Sequence, residues 1–503
     1  MKKKSASSAS QSAFFNLRVL IGLCIVLAGI SLALVGLDAF AANTLPVKVK
    51  NHIITASNDP LVPVGFDCTK IEELGINKQD NMRAGAIMIA CGADEGGSGS
   101  ASVGGFFQRI GKAIQKLLVP LYGAGDVNLI TGTETSPNIT QSETFTWANP
   151  DNPQQVVVAY NDSRGRNQNP INISGASVST DGGATFTRVT TAGGQSPFAG
   201  TLGDPVVLYN RANSTWFTVW LDTACGGQGL GGYKSTNPSD ATSWTHFCVH
   251  NNSNDDRNSG WADNNPSSPF ANRMYISYND FNVGGGALRV TYSSDNGTTW
   301  HAPIAVTANF IRDVQITGDK VTGDVYIAGM DEMGGGLTTR ANKIYRSTDG
   351  GNTWTNTYTG PTFPGPGRSA SGFFATMYAS PAYWRHMGWG QPAAFNHVVS
   401  YVYAARNTGT GDPGDVFYIR STDRGVTFSA PFQLNSNTDS TKAQWEPNLS
   451  ASDAGTLMAT WYDETPRTSA SSIAPRSGRC CSRPPTGVGS WRSAVRSMPG
   501  ARR

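Results

Sequence analysis

The chain has 503 residues, of which 57 are Gly and 27 Pro, while only 15% are charged. So little charge excludes a coiled coil, and 12 Trp, 16 Tyr and 21 Phe exclude a disordered chain. The net charge of +3 sits at the ends: residues 1–41 hold +3 and residues 473–503 hold +7, which leaves −7 for residues 42–472 and no electrostatic case for nucleic acid.

The chain opens with Lys2, Lys3 and Lys4, an uncharged run from Val19 to Leu37, and Ala39-Phe40-Ala41. A basic head, an apolar run and a small-x-small site predict a secretory signal peptide over 1–41, cut after Ala41. The apolar run is also long enough to span a bilayer, so an uncleaved anchor is the alternative and the one membrane link foreseen. Either way the body is exported, secreted or held in the cell envelope. Residues 42–125 form an N-terminal region with helical features over Asp67–Cys91 and Gly104–Leu118, joined by a Gly/Ser run at 96–105.

Export permits disulfides. Of seven Cys, Cys24 lies in the signal, and Cys480 and Cys481 lie near the C-terminus. The other four fall into two equally spaced sets, Cys68/Cys91 and Cys225/Cys248. Four Cys allow three connectivities. The expectation is two local bridges, with four buried thiols as the alternative.

From residue 126 onward one octet recurs, with the pattern Ser-x-Asp-x-Gly-x-Thr-aromatic. It spans Ser179–Phe186, Ser293–Trp300, Ser347–Trp354 and Ser421–Phe428, with a degenerate copy over Ser235–Trp244. Asp bonds turn amides, Gly supplies a positive φ, and the aromatic anchors the next strand, so the octet predicts a hairpin. Upstream lies an apolar strand ending in an acid: Val156–Asp162, Trp216–Asp222, Met274–Asp280, Val325–Asp331 and Leu457–Asp463, with Val398–Arg406 as the variant. Earlier still comes a polar residue before a short apolar strand: Glu143, Asp204, Asn265, Asp313, Gln391 and Glu446.

The octet resembles the Asp-box of sialidases and related β-propellers. The resemblance covers roughly residues 130–472 and implies an all-β fold: a six-bladed β-propeller of four-stranded blades over 126–472, preceded by the small, partly helical N-terminal region. It also implies that Asp181, Asp295, Asp349 and Asp423 are structural turn residues on the face away from a site. The sixth blade is unfinished. After Glu464 neither a third strand nor an octet follows, and residues 473–503 carry seven Arg and no acid. A shifted reading frame would produce such a tail, which is expected to add nothing to the fold; a genuine basic tail for a polyanionic surface is the alternative.

The strand order sends the acid-ended strands and the polar residues before them to one face. Arg164, Arg166, Arg257, Arg312, Arg340, Arg368, Arg385, Arg406 and Arg467 also fall in loops of that face. An insertion at about 359–390 brings Tyr383, Trp384 and Trp389, whose rings can stack on sugars. Similarity to sialidases implies an exo-acting glycosidase on sialylated or related acidic glycans. In that reading Arg164 or Arg166, Arg312 and Arg406 hold the substrate carboxylate, Asp162 or Asp222 is the acid, and Tyr462 with Glu446 is the nucleophile pair. The family's Arg-Ile-Pro motif is missing, and Ser163-Arg164-Gly165-Arg166 stands near its place. A non-catalytic propeller that binds glycans or proteins of the cell envelope is the alternative function. The Asn/Asp-rich loop Asn251–Asn265 offers oxygen ligands for Ca²⁺ but lacks a regular calcium spacing; no other cofactor or metal is expected.

Overall fold

The computed structural model describes residues 52–93, 127, 129–130, 141–191, 196–371, 374–376, 385–386, 390–407, 411–436, 439–463 and 492–498. The signal segment, the Gly104–Leu118 stretch, Tyr383, Trp384 and Trp389 lie outside these residues. Among the described residues no helix is long and apolar enough to cross a membrane.

Antiparallel sheets follow one another along the chain, each built in the same strand order. The first contains β1 (Gln141–Ala148), β2 (Val156–Gly165), β3 (Asn172–Ser179) and β4 (Thr187–Arg188). The second contains β5 (Val206–Asn210), β6 (Thr215–Asp222), β7 (Gly229–Ser235) and β8 (Thr245–His250). The third contains β9 (Asp255–Ala262), β10 (Met274–Asp280), β11 (Ala287–Ser293) and β12 (Ile304–Phe310). The fourth contains β13 (Arg312–Gly318), β14 (Val325–Asp331), β15 (Thr339–Ser347) and β16 (Thr355–Pro364). A small sheet of β17 (Ser369–Ser371), β18 (Phe374–Thr376) and β19 (Arg385–His386) occupies the predicted insertion. The next large sheet has β20 (Gln391–Phe395), β21 (Val398–Asn407), β22 (Asp412–Ser421) and β23 (Phe432–Gln433), and the last has β24 (Gln444–Ala451), β25 (Leu457–Asp463) and β26 (Arg492–Met498).

The first strands of successive sheets are neighbours: β1 touches β5, β5 touches β9, β9 touches β13, β13 touches β20, and β20 touches β24. Sheets therefore stack face to face. This explains why the second strands are near-continuous apolar runs. Every residue of β6 is buried, because both of its faces are covered. Trp216, Trp220 and Trp445 are each at most 1% exposed and fill the space between sheets.

The octets make one turn with a fixed set of bonds. Asp181 accepts from Ser179 Oγ at 2.7 Å, Thr185 N at 2.8 Å and Thr185 Oγ1 at 2.6 Å. Asp295, Asp349 and Asp423 repeat this with Thr299, Thr353 and Thr427. Gly351, at φ +91°, donates its N–H to Ser347 Oγ, a backbone angle that a Cβ would strain. Register puts every octet at the end of its sheet opposite the acid-ended strands: Ser179 pairs with Val156, Ser293 with Met274, and Ser347 with Val325.

The tail differs from expectation. Residues 492–498 pair with β25 along its whole length, from Leu457↔Met498 to Asp463↔Arg492, and fill the third-strand position. The free edge of β25 presents a row of N–H and C=O groups, and an extended segment of any composition can satisfy them.

Among its described residues the N-terminal region contains short 3₁₀ turns at Cys68–Lys70 and Ile76–Lys78 and the helix α1 (Met82–Ala90), capped by Asn81 Oδ1 on Ala84 N at 2.9 Å. Cys68–Cys91 and Cys225–Cys248 are both bridged, as the spacing suggested. Ile71, Ile76, Ala84, Ile87 and Met88 join the core shared with the second and third sheets.

Candidate functional site on the upper face

The starts of the first strands and the ends of the second strands lie at one end of each sheet, called here the upper face. Register sets Gln141 opposite Asp162, Asp255 opposite Asp280, and Gln444 opposite Asp463.

The acids that end the second strands share one local device. Asp162, Asp222, Asp280 and Asp331 each accept through Oδ1 from the backbone N–H two residues on, at 3.2, 2.8, 3.0 and 3.3 Å. These Asx turns close the loop that leaves the strand. The remaining capacity of the two predicted acids is also engaged. Asp162, 1% exposed, accepts from Arg164 Nε at 3.0 Å and Arg188 Nη2 at 2.6 Å. Asp222, fully buried, meets His246 Nε2 at 2.8 Å, and burial raises its carboxyl above the ordinary range.

A second device sits one strand inward. Glu143, Asp204, Arg257, Asp313 and Glu446 all have positive φ, between +45° and +58°. Register slips beside Glu143, Arg257, Asp313 and Glu446, so these are bulges. Arg257 occupies the third-sheet position that Asn265 was expected to hold. Asn265 instead lies in the long connection between β9 and β10, donating to Lys320 O at 3.0 Å.

The bulges bring charge together across sheets. Arg257 Nη2 lies 3.3 Å from Asp313 Oδ1, and its Nε lies 3.9 Å from Asp80 Oδ2. Arg312 Nη1 is 3.3 Å from Asp80 Oδ2, and its Nε is 3.0 Å from Glu332 Oε2. Glu332 also pairs with Arg340 through Oε1. Asp256, Arg312, Asp313 and Arg340 are fully buried, and Asp80 and Glu332 are nearly so. Glu143 and Asp204 belong to the same field, because both act on Arg257. Six carboxyl groups therefore face three guanidinium groups. Burial, then Glu143 and Asp256, push Asp204 well up; burial and Asp80 raise Asp256; burial pushes Asp313 up to about 7. The Asp204 carboxyl faces the carboxyl of Glu143.

Of the Arg set expected from the sequence, only Arg312 joins this cluster. Arg164 is held by Asp162, and Arg166 pairs with Asp59 of the N-terminal region. Glu446 lies on its bulge, half-buried. Tyr462, in the neighbouring strand, stacks on Trp445 with ring centroids 5.8 Å apart. Arg257 and Arg340 were visible only as two of many upper-loop Arg. Glu332 adds an acid directly after Asp331, a doubling that the sequence repeats only at Asp463-Glu464. Asp80 gave no local signal.

Arg406 stands apart. It lines a cavity of about 460 Å³ with Gly367, Arg368, Gly411 and Pro413. Its Nη2 reaches Leu337 O at 3.4 Å; its Nε is buried without a hydrogen-bond partner, and no carboxylate pairs with it among the described residues. A second cavity, about 180 Å³, lies between α1 and the loops of the second and third sheets, lined by Phe66, Ile76, Arg83, Ile87, Gln228 and Asn254.

For a metal, the one group of three close ligand atoms among the described residues is Cys225, His246 and Cys248, whose sulfurs are spent on the disulfide. The stretch Asn251–Asn265, expected as a loop, holds strand β9, and at its start Asp255 takes a hydrogen bond from Asn252 Nδ2 at 2.8 Å and pairs with His250 Nδ1 at 2.8 Å. That arrangement leaves no ready calcium cage there.

No protein-family model and no curated protein matches the chain. Solved structures do. The chain is similar to a leech intramolecular trans-sialidase. The likeness covers 68% of this chain and 67% of that one, at 12% identity and a TM-score of 0.41. A Hadza microbial sialidase matches over 64% of this chain and 63% of its own, at 17% identity and a TM-score of 0.38. An α-L-arabinofuranosidase from Fusarium graminearum matches over 43% of this chain at 12% identity and a TM-score of 0.30, and the chain spans 58% of its length.

Proposed function

We propose that the chain is an exported, sialidase-like propeller of six blades that binds sialylated or related acidic glycans on its upper face, at the Arg406 cavity. The observation that carries this reading is the Arg406 guanidinium. It lines an open cavity without a carboxylate partner among the described residues, whereas Arg164, Arg166, Arg257, Arg312 and Arg340 are paired with carboxylates of the chain. A cation held without a counter-ion favours an anionic ligand, and a guanidinium pairs with a carboxylate through two parallel bonds. Two disulfides suit an oxidising, exported setting. The six large sheets, stacked through their first strands, support six blades.

Hydrolysis is the second reading, favoured by Asp204. Burial, then the neighbouring Glu143, raises the Asp204 carboxyl well above the ordinary range, and a raised carboxyl suits proton donation. Asp162 and Asp222 are less suited to proton transfer, being engaged by Arg164, Arg188 and His246. The test is calorimetric titration with 3′-sialyllactose, together with an assay for released sialic acid. Arg406→Ala is expected to weaken binding by about 1.5–3 kcal/mol, roughly tenfold to a hundredfold. Unchanged affinity in Arg406→Ala places the ligand elsewhere. Binding without release favours the non-catalytic form of the proposal.

A further inference from the structure

The disulfide Cys68–Cys91 closes a loop whose middle carries Asp80. This loop is outside the repeated sheets, yet it reaches into the charge cluster on the upper face. Its hold is extensive. Lys78 O accepts from Arg312 Nη1 at 2.6 Å, and Gln79 Nε2 donates to Asn254 Oδ1 at 2.6 Å. Asp80 N donates to Asp256 Oδ2 at 2.8 Å, and Asn81 Nδ2 donates to Asp256 Oδ1 at 2.9 Å. The Asp80 carboxylate, on a residue 2% exposed, lies between Arg312 and Arg257.

We propose that the stapled loop is an internal occupant: Asp80 fills a carboxylate seat made by Arg257 and Arg312, and a carboxylate ligand gains that seat by displacing the loop. The sheets supply the seat, because Arg257 and Arg312 stand on β9 and β13, whereas the carboxylate filling it comes from the N-terminal region. The contacts agree: a single oxygen of Asp80, Oδ2, lies 3.3 Å from Arg312 Nη1 and 3.9 Å from Arg257 Nε. A tethered carboxylate competes at high effective concentration, so apparent affinity for a free one falls by the fraction of open loop.

The ligand class rests on the acidic-glycan reading, but the seat is distinct from the Arg406 cavity, and the two are tested separately. The probe is N-acetylneuraminic acid, titrated against the full chain. Asp80→Asn empties the seat of its charge, and Asp256→Asn loosens the loop while leaving Arg257 and Arg312 intact. Each is expected to raise affinity at least about tenfold. Adding Arg312→Met to Asp80→Asn should abolish the gain, whereas adding Arg406→Ala should not. A second readout needs no variant at the seat: hydrogen exchange at residues 78–81 of the natural chain should accelerate with saturating ligand. Failure of Arg406→Ala to alter binding tells against the functional reading alone. The internal-occupant inference is overturned if either folded variant, Asp80→Asn or Asp256→Asn, binds no better than the natural chain. Slowed exchange at residues 78–81 with ligand overturns it as well.

Discussion

Removing Glu332 offers a quantitative test of the upper-face cluster. Its two oxygens serve two guanidinium groups, Arg312 Nε at 3.0 Å and Arg340 Nη1, and all three side chains are at most 3% exposed. In Glu332→Ala, Arg312 keeps Asp80 at 3.3 Å and Lys78 O at 2.6 Å. Arg340 keeps only Gly336 O at 2.8 Å and has no other carboxylate among the described residues. Breaking a buried pair from one side typically destabilises by about 3–5 kcal/mol, because the surviving charge is left uncompensated. The loss should fall near about 4 kcal/mol, which at a urea slope of about 3 kcal/mol/M moves the midpoint down by about 1.3 M. Equilibrium urea unfolding, followed by Trp fluorescence, reads it. The companion variant Glu332→Met with Arg340→Met removes both charges and should recover most of the loss, since an apolar pair of similar volume needs no counter-ion. A loss below about 1 kcal/mol in Glu332→Ala, or no recovery in the double variant, would refute the reasoning.

Three further outcomes follow from the same structure. Asp349→Ala deletes the bonds to Ser347 and Thr353 at the end away from the cavity; it should lower stability by about 1–2 kcal/mol and leave glycan affinity unchanged, as thermal unfolding and calorimetry would show. Burial raises Asp313 to about 7 and Asp255 and Asp412 to about 6, so the folded chain holds protons that the unfolded chain has lost, and this stability disappears as pH rises through about 6 to 7. Asp181, lowered to about 2 chiefly by the Thr185 hydroxyl, acts oppositely: its stability is present above the ordinary carboxylate range and lost as pH falls toward 2. The melting temperature should therefore peak near about pH 4 and fall toward pH 7, and a steady rise from pH 5 to 8 would contradict this assignment. Replacing Cys225 and Cys248 by Ala opens a loop with a sequence separation of 23 and should lower stability by roughly 3 kcal/mol in the chain-entropy model, measured by urea unfolding.

Local chemistry was the legible part of the sequence. The turn octets were readable because Ser, Asp, Gly and Thr bond within eight residues, and the second strands were readable because apolar runs end in an Asx turn. Counting back from those strands located Glu143, Asp204, Asp313 and Glu446. It failed in the third sheet, where the connection from Ala262 to Met274 is longer and carried the count to Asn265 instead of Arg257. The third strand of the last sheet was missed because Arg492–Met498 pairs with β25 from beyond the expected spacing and without the repeat's composition. The upper-face charge cluster was illegible for a different reason. Asp80 and Arg312 are 232 residues apart, and nothing near either one marks the pairing. Charge type placed Arg164 and Arg166 in a substrate set, but only folding shows that Asp162 and Asp59 already hold them.

An acidic glycan bound to this protein should seat against Arg406 on the upper face. A crystal of the protein soaked with 3′-sialyllactose tests this most directly. The sialic acid carboxylate is expected in the cavity lined by Gly367, Arg368, Arg406 and Pro413, within about 3 Å of the Arg406 guanidinium. Glycan bound at the Asp181, Asp295, Asp349 and Asp423 turns, or an empty Arg406 cavity in a crystal that holds the glycan elsewhere, would contradict it.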